Sequence, residues 1–150
     1  MSAPPVAVVD ALNSLLEAEV NSIFRFMGEG SPYLSRAGAE VRRPLREMVR
    51  TSHQHCHELA ALIEHLGAFP RARGVQHEEQ YLAFLSLKFL LPKLVEAKNL
   101  AIRRYDNTLR AFGDAPPEVT AVLRRHLEEH RAELAQLEKA AEQVAKVKTD

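Results

Sequence analysis

His53, His55 and His57 crowd one short stretch, and His126 and His130 stand four residues apart. Residues four apart on a helix share a face, so His53 with His57, and His126 with His130, are spaced to chelate a transition metal. If their helices adjoin, four imidazoles converge on one site. The alternative for His53 and His57 is a solvated or partner-facing surface, because alternate positions along a helix diverge in direction. Cys56, inside the same cluster, reads either as a thiol beside a metal or as a small apolar filler. Tyr105 offers a hydroxyl that either joins a polar site or is satisfied locally. Nothing in the chain resembles a phosphate-cradling glycine loop, a nucleophile triad or a nucleotide fingerprint.

The elements that must position these groups are helical. Four segments carry apolar residues at three- and four-residue spacing: about 6–27, 39–66, 86–112 and 116–147. Gly28, Gly30 and Pro32 end the first, Gly67 and Pro70 the second and Gly113 the third. Pro44 lies near a helix start, where proline is tolerated, and Pro92 predicts a kink or a start in the third helix. The connection over about 68–85 has no helical stripe at 69–74, and a short helix is expected around 78–84. At roughly 3.3 Å per residue it can cross the length of a bundle. The pattern predicts one all-α domain over 1–150, a four-helix bundle of two antiparallel hairpins joined by a long crossover.

Polar residues on apolar stripes are informative, since burying them costs free energy unless they are paired. The stripe 12, 15/16, 19, 23, 26 puts Glu19 inward. The second stripe brings in Ser52, His55 and Cys56. The third brings in Lys98, and the fourth His130 with His126 beside it. Glu19, His55, Lys98 and His130 are therefore expected to meet around one centre at mid-bundle.

The chain has 150 residues, 46% of them hydrophobic and 27% charged, which suits one folded domain. Twenty basic residues balance twenty acidic ones. That argues against a nucleic-acid surface and leaves little repulsion to oppose self-association, so a homo-oligomer, dimer or larger, is expected. One cysteine excludes an internal disulfide and suits a reducing compartment. No apolar run approaches the length needed to span a bilayer, and the first ten residues lack the basic start of a signal peptide. The expectation is a cytoplasmic protein with no membrane and no nucleic-acid partner.

Leu12-Asn13-Ser14-Leu15-Leu16-Glu17-Ala18-Glu19, His55 with the later Leu66-Gly67-Ala68-Phe69-Pro70, Ala101-Ile102 with Tyr105, and Glu128-Glu129-His130 together resemble the ferritin-like superfamily, bacterioferritin and rubrerythrin above all. The resemblance implies a ferritin-like bundle with Glu19, His55 and His130 at ligand positions of a di-iron centre. Such a centre takes one Glu from each of two helices and a Glu-x-x-His from each of the other two. In this chain the latter read Ser52-x-x-His55 and Leu127-x-x-His130, and Lys98 stands for the third-helix glutamate. Glu96 would serve only if that helix slipped its register.

Two divalent ions carry four positive charges, which one carboxylate and two imidazoles offset too little, and an ammonium opposes them. Lys98 is expected to pair with Glu19 instead. Three readings follow. The first, which the ligand count and charge favour, is a degenerate centre kept for a structural, binding or assembly role, with no cofactor. The second is an iron-handling or oxidoreductase protein holding one divalent metal (iron, manganese or zinc) on Glu19, His55 and His130, with Glu96, His126, His53 or His57 as alternates. The third is a metal-free enzyme using Lys98 and Glu19 for acid–base work.

Overall fold

In the computed structural model, residues 5–27, 39–72 and 87–147 are described. They form α1 (Val6–Val20), a single 3₁₀ turn (Ile23–Phe26), α2 (Ala39–His65), α3 (Leu87–Ala111) and α4 (Pro117–Val147). None of these helices is long and apolar enough to cross a membrane.

Cross-helix pairs give the directions. Asn13 meets Arg71 and Glu19 meets His55, so α1 and α2 run antiparallel. Lys98 meets Glu133 and Tyr105 meets His126, so α3 and α4 do too. His55 with Glu129 and His65 with Glu118 set α2 antiparallel to α4. Hence α2 and α3 run parallel. Two hairpins joined in that sense are the connectivity expected from the sequence. The crossover itself, about 68–85, lies largely outside the described residues, and the short helix expected around 78–84 wholly so.

The first helix is shorter than its stripe predicts. Asn21 Nδ2 and the Asn21 N–H both donate to the Glu17 carbonyl at 3.0 Å, and Ser22 Oγ accepts from the Phe24 N–H at 3.2 Å. Asn and Ser side chains offer the backbone these local partners in place of the helical ladder. The break shifts the phase, so Phe24 and Met27 are buried alongside Ile23. Pro92 neither starts nor interrupts α3, which is helical on both sides of it.

Two apolar clusters fill the bundle. One gathers Phe24, Met27, Leu45, Met48, Leu91 and Leu94 with their neighbours. The other gathers Leu12, Leu16, Leu59, Ile63, Tyr105 and Leu123 with theirs, and Cys56 packs in it as filler. Between them lies a buried polar layer of Glu19, Ser52, His55, Lys98, His126, His130 and Glu133. Each large apolar side chain buried contributes about 1.5–3 kcal/mol. The clusters therefore supply the stability against which the polar layer is held.

The second helix closes with a Schellman turn. The Gly67 N–H donates to the Glu64 carbonyl and the Ala68 N–H to the Ile63 carbonyl. Gly67 holds φ at +83°, and a Cβ there would meet nothing within 4 Å. Gly67→Ala therefore costs only the left-handed backbone strain, about 1 kcal/mol. Urea unfolding should show a loss of that size with native circular dichroism retained.

Candidate metal centre

Glu19 is the penultimate residue of α1, where the helix dipole disfavours a negative charge. Donors from two other helices offset this. Glu19 Oε2 accepts from Tyr105 Oη at 2.8 Å and from His130 Nε2 at 2.8 Å. His55 Nδ1 lies 3.3 Å from the same oxygen and makes no hydrogen bond. Glu19, His55 and His130 each bring one ligand atom into a group spanning no more than 4.8 Å, and all three are buried.

The ring protons follow from the partners. His55 Nε2 donates to Glu129 Oε1 at 2.7 Å, and His126 Nε2 donates to Glu58 Oε1 at 2.8 Å. The two rings stack, with centroids 3.9 Å apart. With its proton on Nε2, a neutral His55 turns a lone pair from Nδ1 toward the Glu19 carboxylate. Two acceptors at 3.3 Å need positive charge between them. A proton supplies it by making His55 an imidazolium, and a metal ion supplies it directly. His126 Nδ1 sits 3.0 Å from Tyr105 Oη. Tyrosine has one proton, and the charged Glu19 is the stronger acceptor. His126 Nδ1 is thus a second lone pair turned into the centre.

Lys98 occupies the other side. Its ammonium pairs with Glu133, donates to His130 Nδ1 at 3.1 Å and lies 4.2 Å from the centre of the Phe24 ring. An ammonium accepts nothing, so His130 Nδ1 accepts and its Nε2 proton goes to Glu19. The expected Lys98–Glu19 pair is not formed. Glu133 stands one turn beyond His130 on α4, facing Lys98 across the antiparallel α3–α4 pair, and captures the ammonium first. Lys98 is 3% exposed, so α3 keeps the register that puts it inward. Glu96 is exposed at the rim of a cleft of about 660 Å³ between α1 and α3, whose floor includes Glu19, Lys98, Tyr105 and His130.

The electrostatics follow from burial and these contacts. Burial pushes the Glu19 carboxyl up, but His130 and His55 outweigh it and hold the group well below the carboxylate range. Burial pushes His55 down, yet carboxylates on both sides leave it raised. Burial, then charge on His55, lowers His126 to about 4. Burial also lowers His130 despite its contact with Glu19, and Lys98 adds to that lowering.

His53 and His57 are exposed on the outer face of α2, whereas His126 and His130 are buried, so no four-imidazole site forms. Ser52 is buried with no partner for its Oγ, and Leu127 joins an apolar cluster. Glu58, Glu133 and Arg125 carry no sequence expectation, and Glu129 entered only as part of the Glu128-Glu129-His130 motif. A signal for the three glutamates was present: His55-x-x-Glu58, His126-x-x-Glu129 and His130-x-x-Glu133 put a carboxylate one turn after each central histidine.

Removing Glu133 leaves a buried ammonium without its counter-charge. Glu133→Gln should cost about 3–5 kcal/mol, whereas the apolar pair Lys98→Met with Glu133→Leu should cost much less. A urea double-mutant cycle reads the difference.

The lowered His126 gives a pH dependence. As pH falls below 6.5 the unfolded chain takes up the proton first, so stability is lost between about 6.5 and 4. His55, raised, has the opposite sign and contributes below its ordinary range. Urea midpoints of the metal-free protein across this window should fall more steeply than those of His126→Gln.

No protein-family model matches the chain, and no curated protein does. Solved structures do. A bacterioferritin from Desulfovibrio desulfuricans with a diiron site superposes with TM-score 0.72 and 16% identity, over 94% of this chain and 81% of that one. A dodecameric thioferritin, the bacterioferritin-related protein of Bacteroides fragilis, gives TM-score 0.71 and 18% identity, over 96% of this chain and 89% of that one. With the helix order and pairing above, these likenesses establish that the chain has the ferritin-like four-helix-bundle fold.

Proposed function

We propose that this ferritin-like bundle is a divalent-metal-binding protein whose centre has degenerated from two ions to one. Glu19 and His55 Nδ1 hold the ion, with His126 Nδ1 beside them, and His130 Nε2 joins them on giving up the proton it otherwise donates to Glu19. The observation that carries this reading is the buried His55 Nδ1, which faces the Glu19 carboxylate at 3.3 Å without a hydrogen bond. The outer contacts support it as well. Metal-ligating histidines characteristically donate their other ring N–H to a carboxylate, as His55 does to Glu129.

A second ion has no comparable support. Among the described residues, Glu19 is the one carboxylate reaching the centre without a lysine of its own. Ser52 and Leu127 stand where bridging glutamates would be needed, and the Lys98–Glu133 pair fills the remaining side. A bound iron would supply redox chemistry, and a bound zinc only polarisation. The role that fits one ion on such a site is metal binding or handling rather than dinuclear oxygen chemistry. The diiron site of the D. desulfuricans bacterioferritin marks what this centre would have lost. We also propose a homo-oligomer, which the dodecameric assembly of the B. fragilis protein and the zero net charge support.

A metal-free reading has its own observation: Lys98 lies on the floor of the cleft and 3.1 Å from His130 Nδ1, where it blocks protonation of that nitrogen. Acid–base chemistry at Lys98 would use that access.

The test is anaerobic loading with ferrous iron, manganese or zinc, desalting, and elemental mass spectrometry. One ion per chain is expected, lost in Glu19→Ala. Two ions would restore the dinuclear reading, and none would leave the metal-free one. Lys98→Glu, by exchanging an ammonium for a carboxylate, should tighten metal binding.

A further inference from the structure

The histidines of the centre are oriented by carboxylates that cross between helices. His55 and Glu58 lie one turn apart on α2, and His126 and Glu129 one turn apart on α4. Each glutamate reaches the histidine of the opposite helix: Glu58 to His126 at 2.8 Å, Glu129 to His55 at 2.7 Å. Both use Oε1. Their other oxygens face one guanidinium, that of Arg125, at 2.9 Å for Glu58 and 3.8 Å for Glu129.

We propose that Arg125 is the positioning residue for both rings. It holds two like-charged carboxylates side by side with one oxygen turned outward on each. Their inner oxygens then fix the Nε2 protons of His55 and His126 and leave both Nδ1 lone pairs facing Glu19 and Tyr105. Without the guanidinium, Glu58 and Glu129 are free to separate into solvent, and each ring loses the acceptor that selects its tautomer.

Arg125 is 43% exposed at its side chain. Exposed ion pairs contribute about 0–1 kcal/mol, so a purely structural role predicts little change on its removal. The positioning role predicts a change at two buried rings. Its consequence for metal affinity rests on the single-metal reading above; its consequence for the rings does not.

The experiment compares wild type, Arg125→Gln and Arg125→Lys. Nitrogen-15 NMR of labelled histidines in metal-free protein, at alkaline pH where the rings are neutral, reads the tautomers of His55 and His126. Zinc titration reads affinity. Arg125→Gln should mix the tautomers of both rings and weaken zinc binding about tenfold. Arg125→Lys, which keeps a positive charge, should restore part of both effects and serves as the folded control. Unchanged tautomers in Arg125→Gln overturn the proposal, whether or not zinc affinity falls. Altered tautomers in a protein that binds no zinc uphold the positioning role and sink the single-metal reading instead.

Discussion

A single buried carboxylate governs the middle of this bundle. Glu19 sits at the unfavourable end of α1 and away from water, yet stays ionised because Tyr105, His130 and His55 converge on one of its oxygens. An ionised carboxylate cannot be buried without such partners. Its partners come from α2, α3 and α4, so all four helices must meet at one level for the charge to be tolerated. The apolar clusters above and below give that level its place, and the polar layer gives it its register.

Around Glu19 the layer divides by charge. On the α3 side, Lys98 and Glu133 neutralise one another and leave His130 a fixed tautomer. On the α2–α4 side, the crossed pairs His55–Glu129 and His126–Glu58 turn proton-free nitrogens inward. The first side has already found its cation. The second has more acceptors than donors, and a proton on His55 or a metal ion completes it. On the proposed reading a metal ion would compete with that proton for one position, and its binding would release protons.

The two sides of the centre differ in access. The cleft between α1 and α3 runs from Ser14 past the helix end to Asn21 and Ser22, with Glu19, Lys98 and Tyr105 along its lining. The opposite face is closed by Glu58, Arg125 and Glu129. The centre is thus open toward the α1–α3 side and closed by the Arg125 ion pairs on the α2–α4 side.

Much of this was legible in the residue order. Helical periodicity located four helices, and extending each stripe through its polar members picked out Glu19, Ser52, His55, Lys98, His126 and His130, all buried in the structure. That worked because a polar residue in phase with leucines has no direction to point but inward. The end of α1 was missed because a stripe continues in phase past a side chain that stops the helix: Asn21 and Ser22 act by hydrogen bonds, which periodicity does not record. The partner of Lys98 was misread for a different reason. The apolar stripe of the fourth helix passes beside Glu133, so sequence phase offered Glu19 as the inward carboxylate and did not point to Glu133. The antiparallel packing of α3 on α4 decided for Glu133. The crossed glutamates and the guanidinium that holds them belong to the same class. Their spacing was written in the chain, but which histidine each would reach was decided only when α2 and α4 came side by side.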